Sequence, residues 1–258
     1  WSSDVCSSDL VGESGSGKSV TSLSMIGLLP ATAQVSGRVL YDGKNLLELT
    51  DDEMAAYRGS DIAMVFQDPL SALNPVRTIG HQITEAMLVH ATTDEAGASR
   101  RVGELLEQVG LPARRARDYP HELSGGQKQR VMIAMALACD PKVVIADEPT
   151  TALDVMVQAQ VLRLLKDLQD RLGLAMLFIP HDLAVLVEVC DRLAIMYAGS
   201  IVEEGPAGAV FREPAHPYTR ALAAAYPTIG DARFRMAPSG LGGDPPQPEA
   251  VPIGRAHV

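Results

Sequence analysis

Eight residues near the start of this 258-residue chain, GESGSGKS at Gly12 to Ser19, have the types and spacing needed to hold a phosphate. They fit G-x-x-x-x-G-K-[ST] at every fixed position. Gly12, Gly15 and Gly17 let backbone N–H groups curl around an anion, with Glu13, Ser14 and Ser16 between them. Lys18 supplies positive charge to the β and γ phosphates of a nucleotide, and the Ser19 hydroxyl can ligand Mg²⁺. A merely flexible Gly/Ser loop does not require Lys-Ser directly ahead of an apolar run. Here VTSLSMIGLLP follows, closing at Pro30, so the spacing predicts a phosphate loop that opens a helix.

A second cluster, VVIADEPT, ends an apolar run with an acidic pair. Asp147 can hold Mg²⁺ through water. Glu148 can orient and polarise a water attacking the γ phosphate, since such catalysis is mainly positioning and charge stabilisation. In isolation an Asp-Glu turn after a core strand is more often only solvated; beside a phosphate loop it reads as chemistry. A third segment, LSGGQ at Leu123 to Gln127, lies 23 residues before Asp147 when counted from Ser124. It combines a Ser N-cap with two glycines at a helix start, a place suited to anions.

With LSGGQ between the two nucleotide motifs, the chain resembles the ATPase subunit of an ATP-binding cassette (ABC) transporter from about Val11 to Pro227. The resemblance implies that Ser124, Gly125, Gly126 and Gln127 face the γ phosphate of ATP bound to an opposite subunit. Gln67 in VFQDP resembles the Q-loop glutamine, touching Mg²⁺ or the attacking water and linking the site to a permease. Asp154 in TALD resembles the D-loop aspartate of the dimer interface, and His181 in IPHDL the switch histidine. Together these imply Glu148, His181 and Gln67 as catalytic residues, Ser19, Gln67 and Asp147 as Mg²⁺ ligands, and ATP with Mg²⁺ as cofactors.

MVFQDPLSALNP, YPHELSGGQKQR and HPYTRALAAAYP narrow the resemblance to the dipeptide/oligopeptide importer branch. That branch implies a second ATPase subunit (identical or paralogous), two transmembrane permease subunits, an extracytoplasmic solute-binding protein, and a peripheral place on the cytoplasmic face of the inner membrane. The chain departs from the family at Pro180, where Thr is usual, and at Lys128, where Arg is usual. Residues 228–252 contain no Cys, so the iron–sulfur site of some branch members is not expected.

The fold expected to position these groups is α/β, a P-loop NTPase core with a mostly parallel sheet plus an α-helical subdomain. Arg38 to Tyr41 with Asp42-Gly43 reads as a strand and tight turn, and Asp61 to Phe66 as a strand, with a short polar helix over 51–58 between them. Apolar residues three and four apart, Ile79, Ile83, Met87, then Val102, Leu105, Leu106 and Val109, predict helices over 74–111. A buried helix follows Ser124. Val143 to Ala146 and Leu174 to Ile179 read as buried parallel strands joined by a helix over 155–172, with function at their C-terminal ends. The catalytic core is thus placed at 11–73 and 141–205, the helical subdomain at 74–140, a C-terminal appendage at 206–227 and an unfolded Gly/Pro-rich tail at 228–258.

Both ends read as foreign. DVCSSD at 4–9 and IGRAHV at 253–258 can be encoded by opposite strands of one oligonucleotide that resembles a sequencing adaptor, so residues 1–10 and 253–258 are expected to lie outside the fold. The resemblance implies strands ahead of the phosphate loop, one with an adenine-stacking aromatic. Only ten residues precede Val11, and Trp1 is not assigned that part, so the chain reads as a fragment lacking those strands.

Composition bounds the alternatives. Hydrophobic residues make up 47% and charged residues 21%, an ordinary globular balance. Asp plus Glu number 32 against 22 Lys plus Arg, giving a net charge of -10 that repels nucleic acid. The longest apolar run, Val131 to Cys139, has nine residues where a membrane span needs about 20. Cys6, Cys139 and Cys190 suit neither a disulfide framework nor a zinc site, and fit a reduced cytosolic setting. Two other readings stay open: a soluble ABC-type ATPase of DNA repair or chromosome maintenance, whose coiled coils and cysteine pairs are missing here, and a fragment that binds nucleotide without turnover.

Overall fold

The computed structural model describes residues 7–90, 94–151, 153–180 and 190–225. They fall into two compact units, one built mainly on 19–179 and the other on 8–18 with the chain from 180 onward. In chain order the first elements are β1 (Ser7–Val11), α1 (Lys18–Met25), β2 (Leu40–Tyr41), β3 (Lys44–Asn45), α2 (Asp51–Ala55), β4 (Ile62–Val65) and α3 (Pro69–Ala72). Next come α4 (Ile79–Val89), α5 (Glu95–Gln108), α6 (Gly125–Ala136), β5 (Val143–Asp147), α7 (Val155–Leu172) and β6 (Ala175–Ile179). The last are β7 (Arg192–Tyr197), β8 (Ser200–Pro206), α8 (Ala207–Arg212) and α9 (Pro217–Ala225).

The first unit carries β4, β5 and β6 as parallel neighbours, with Ile62 opposite Val143 and Asp147 opposite Ile179. β5 and β6 are almost wholly buried, which is why their sequences run apolar without alternation. Several of this unit's helices start where a short polar side chain can accept an otherwise orphaned N–H. Thr78 caps α4, Asp94 caps α5, and Asp154 caps α7. α2 adds a full capping box between Thr50 and Glu53. Gly173, at φ +66°, ends α7 in the left-handed conformation that glycine adopts without steric cost.

The expected helical subdomain forms as α4, α5 and α6. Ile79, Ile83, Met87, Leu105, Leu106 and Val109 are each at most 1% exposed, and the burial of each such side chain is worth about 1.5–3 kcal/mol. α1 stops at Met25, short of the expected Pro30. Its end is held by the Arg58 guanidinium, whose Nε donates to the Ile26 carbonyl at 2.7 Å and Nη2 to the Gly27 carbonyl at 3.0 Å. The expected turn at Asp42-Gly43 has φ +47° and +79° and joins only the two-residue strands β2 and β3.

In the second unit β1 pairs with β7 in parallel, Ser8 opposite Arg192 through Val11 opposite Ile195. β7 then turns back antiparallel into β8, with a register shift between Ile195 and Met196. α8 and α9 pack over this sheet around Val11, Leu193, Ile195, Val210, Tyr218 and Leu222. Glu203 of β8 fixes the approach to α9 by accepting from the backbone N–H groups of Ala215 and His216 at 2.8 and 2.9 Å. Burial pushes the Glu203 carboxyl up, but hydrogen bonding, including from these two N–H donors, outweighs it and holds the group below its ordinary range.

Two sequence expectations need correction here. Ser7 to Leu10 were set outside the fold and no strand was expected ahead of the phosphate loop, yet they form β1 with Val11 because the ladder to β7 satisfies their backbone. β7 and β8 were not foreseen as strands at all. His181, the 228–258 tail and the 253–258 segment lie outside the described residues.

β1 carries an unusual residue for a buried strand: Asp9 is 0% exposed. Together with burial, its carboxylate pushes the neighbouring Cys190 thiol well up. Taking a carboxylate out of water costs several kcal/mol before any partner is counted.

Candidate functional site

The phosphate loop in the second unit follows β1. Gly12 is required by close approach: a Cβ there would stand 2.1 Å from the Met196 carbonyl oxygen and 2.9 Å from Ser16 Oγ. Gly17 sits at φ +101°, beyond the range where side chains are tolerated. The loop is tied down by Gly199 N–H to the Ser16 carbonyl at 3.0 Å and by Ser16 N–H to the Glu13 carbonyl at 3.2 Å. Lys18, 5% exposed, donates from Nζ to the Gly12 and Glu13 carbonyls at 2.8 Å each. Buried Ser16 Oγ has no hydrogen-bond partner among the described residues. Lys18 and Ser19 also begin α1, so the loop meets a helix N-terminus as the sequence predicts.

In the first unit, Ser19 Oγ donates to Asp147 Oδ1 at 3.0 Å. Two groups 128 residues apart are thus brought together. An octahedral Mg²⁺ with oxygens at 2.0–2.1 Å has adjacent ligand oxygens roughly 3 Å apart, so this hydroxyl–carboxylate pair fits the ion's chemistry. The described residues hold no cluster of three or more His, Cys, Asp or Glu that could take a metal alone. Mg²⁺ is commonly held by one or two protein groups together with phosphates and water.

Glu148 follows at the end of β5 with φ +44°, a conformation rare for a residue with a side chain. Its N–H donates to the Ile179 carbonyl at 2.7 Å, which holds the strained residue against β6. Its Oε2 accepts from Gln67 Nε2 at 2.8 Å and from Thr151 Oγ1 at 3.0 Å. Gln67 comes from the loop after β4, so two of the three expected catalytic residues meet on one oxygen. The third, His181, lies outside the described residues. Thr151 was not singled out from the sequence, although its place three residues after Glu148 in a turn was the available signal.

The LSGGQ segment starts α6. Ser124 Oγ accepts from Gln127 N–H at 3.4 Å while Gln127 Oε1 accepts from Ser124 N–H at 3.0 Å, a reciprocal capping box. Gly126 has a packing reason too, because a Cβ there would stand 2.5 Å from Val157 Cγ1 in the first turn of α7. Asp154 caps that same turn, accepting from Val157 N–H at 3.0 Å. The structure therefore links Gly126 and Asp154 through Val157.

Comparison with known proteins identifies the family. Residues 8–151 match the ABC transporter family, and residues 202–255 match the C-terminal region of oligopeptide/dipeptide transporters. The second match extends into the segment that the sequence reading left as an unfolded tail. The chain is 55% identical over 217 residues to a probable peptide ABC transporter ATP-binding protein of Sinorhizobium fredii, covering 83% of this chain and 65% of that protein. It is 48% identical over 256 residues to an oligopeptide transport ATP-binding protein of Bacillus subtilis, covering 96% and 70% respectively. Among solved structures, a dimeric ATP-binding cassette in a post-hydrolysis state with ADP and Pi has a TM-score of 0.70 at 30% identity, over 79% of this chain and 86% of that one. A Clostridium perfringens protein that is part of an ABC transporter complex has a TM-score of 0.71 at 31% identity, over 81% and 80%.

The tight seat of Gly12 yields a direct expectation. Gly12→Ala has to displace either the Met196 backbone or the loop, so urea unfolding is expected to show a loss of about 2 kcal/mol. An unchanged midpoint would contradict the close approach.

Proposed function

This chain belongs to the ABC transporter family, and from that premise we propose that it binds and hydrolyses Mg-ATP as the motor subunit of a peptide importer. The observation that carries the proposal is the Ser19–Asp147 contact beside the Gln67–Glu148–Thr151 cluster: an Mg²⁺-compatible oxygen pair next to a carboxylate held by two donors. An oligopeptide and a dipeptide transport ATP-binding protein of Bacillus subtilis match over 96% and 95% of the chain, which supports peptides as cargo.

In this reading the loop N–H groups and Lys18 hold the β and γ phosphates. Mg²⁺, held by Ser19 and Asp147 with Gln67 nearby, would supply charge neutralisation at the phosphate oxygens. Glu148 then accepts a proton from the attacking water. Its present hydrogen bonds from Gln67 and Thr151 orient that carboxylate, and Gln67 can trade Glu148 for water or metal as the site fills. The resemblance assigns His181, which lies outside the described residues, to the γ phosphate. Ser124 and Gly126 complete the site of a second ATPase subunit, where the exposed start of α6 offers N–H donors to a phosphate. Two permease subunits carry the solute and an extracytoplasmic solute-binding protein delivers it, with this subunit on the cytoplasmic face of the inner membrane. No described helix is long and apolar enough to cross a membrane.

The test is Glu148→Gln in the full-length protein. Loss of the base is expected to lower kcat by at least about a hundredfold while ATP affinity stays within a few fold, and to trap an ATP-bound dimer visible by size-exclusion chromatography. Turnover at the unsubstituted rate would remove Glu148 from this part.

A further inference from the structure

The C-terminal helix reaches the phosphate loop through one hydroxyl. Glu13 N–H donates to Tyr218 Oη at 3.1 Å, across 205 residues of chain. The other side of the same residue is engaged as well, since the Glu13 carbonyl accepts from Lys18 Nζ at 2.8 Å. Glu13 is thus held from both ends, by α9 at its N–H and by the lysine at its carbonyl.

Tyr218 is itself firmly placed. It is 7% exposed and its ring lies against that of Tyr197 with centroids 4.4 Å apart. Glu203 accepts from the backbone N–H groups of Ala215 and His216, and His216 Nδ1 in turn accepts from Tyr218 N–H at 3.2 Å. Pro217 opens α9, where a missing N–H costs nothing. Each residue of the His-Pro-Tyr run therefore helps to place α9, and the last of them ends on the phosphate loop.

We infer that Tyr218 is a positioning residue for nucleotide binding: its hydroxyl fixes Glu13, whose carbonyl in turn aims Lys18 at the phosphates. A loop with its amides and lysine already arranged loses less freedom when an anion arrives, and so binds it more tightly. The consequence is that the C-terminal region, through α9, has a direct mechanical hold on the nucleotide site. This inference rests on the nucleotide-binding reading above, but the restraint on Glu13 is measurable without nucleotide.

The experiment is residue-resolved amide hydrogen exchange on the nucleotide-free chain, paired with ATP titration, for the unsubstituted protein and Tyr218→Phe. Phe keeps the ring stack and removes only the hydroxyl. The expected results are a protected Glu13 amide in the unsubstituted chain and at least about tenfold faster exchange there in the variant. ATP dissociation constants are expected to rise about three- to tenfold, the worth of one net hydrogen bond, with a melting temperature lowered by no more than about 4 °C. Unchanged exchange at Glu13, or unchanged ATP affinity, overturns the inference. If the variant melts much lower, the unsubstituted chain still decides, because an unprotected Glu13 amide overturns it alone. If the unsubstituted chain binds no ATP, the proposed function fails, and the restraint on Glu13 is then judged by exchange.

Discussion

The grip of two backbone carbonyls on the Lys18 ammonium is the interaction on which the rest of the phosphate loop depends. Lys18 is 5% exposed, and the oxygens of Gly12 and Glu13 that receive it are neutral. A hydrogen bond to a charged group returns about 1.5–3 kcal/mol, while desolvating an ammonium costs several kcal/mol. These two acceptors orient the charge without cancelling it. The loop is thereby biased toward an anion, and the bias holds only if Gly12 can lie against the Met196 carbonyl and Gly17 can keep its positive φ.

Several residues assigned to chemistry also hold the fold. Ser124 and Gln127 close a capping box, Asp154 caps α7, and Gly126 makes room for Val157. Such double duty has a physical origin, because helix starts are where orphaned N–H groups gather, and the same groups bind phosphates. Glu148 is the costliest example. Its left-handed backbone is unfavourable for a residue with a side chain, and it is kept by one bond to Ile179 while its carboxylate is kept by Gln67 and Thr151.

How far the sequence could be read depended on which signal each element carried. The phosphate loop was legible because its glycines and lysine are fixed by local backbone geometry. α4, α5 and α7 were legible because their apolar residues recur every three or four positions, and α6 because a Ser cap and glycines lead into an unbroken apolar run. β5 and β6 were marked by short apolar runs. β7 and β8 were missed although LAIMY is an apolar run before Ala198-Gly199, because β8 is largely exposed and lacks a clean alternation. β1 was hidden because the codons of its segment argue for a foreign origin, and only its pairing with β7 places it in the sheet. A contact set by tertiary packing alone, such as Tyr218 with Glu13, has no signature in spacing.

The central claim is that this chain recognises phosphates through a loop already shaped to receive them. Calorimetric titration with ATP, ADP and adenosine, in the presence of Mg²⁺, for the unsubstituted chain and Lys18→Ala, tests it most directly. The account predicts one site that takes ATP and ADP, binds adenosine at least about a hundredfold more weakly, and loses most of its affinity without Lys18. Equal binding of adenosine and ATP, or an affinity unaffected by Lys18→Ala, would contradict it.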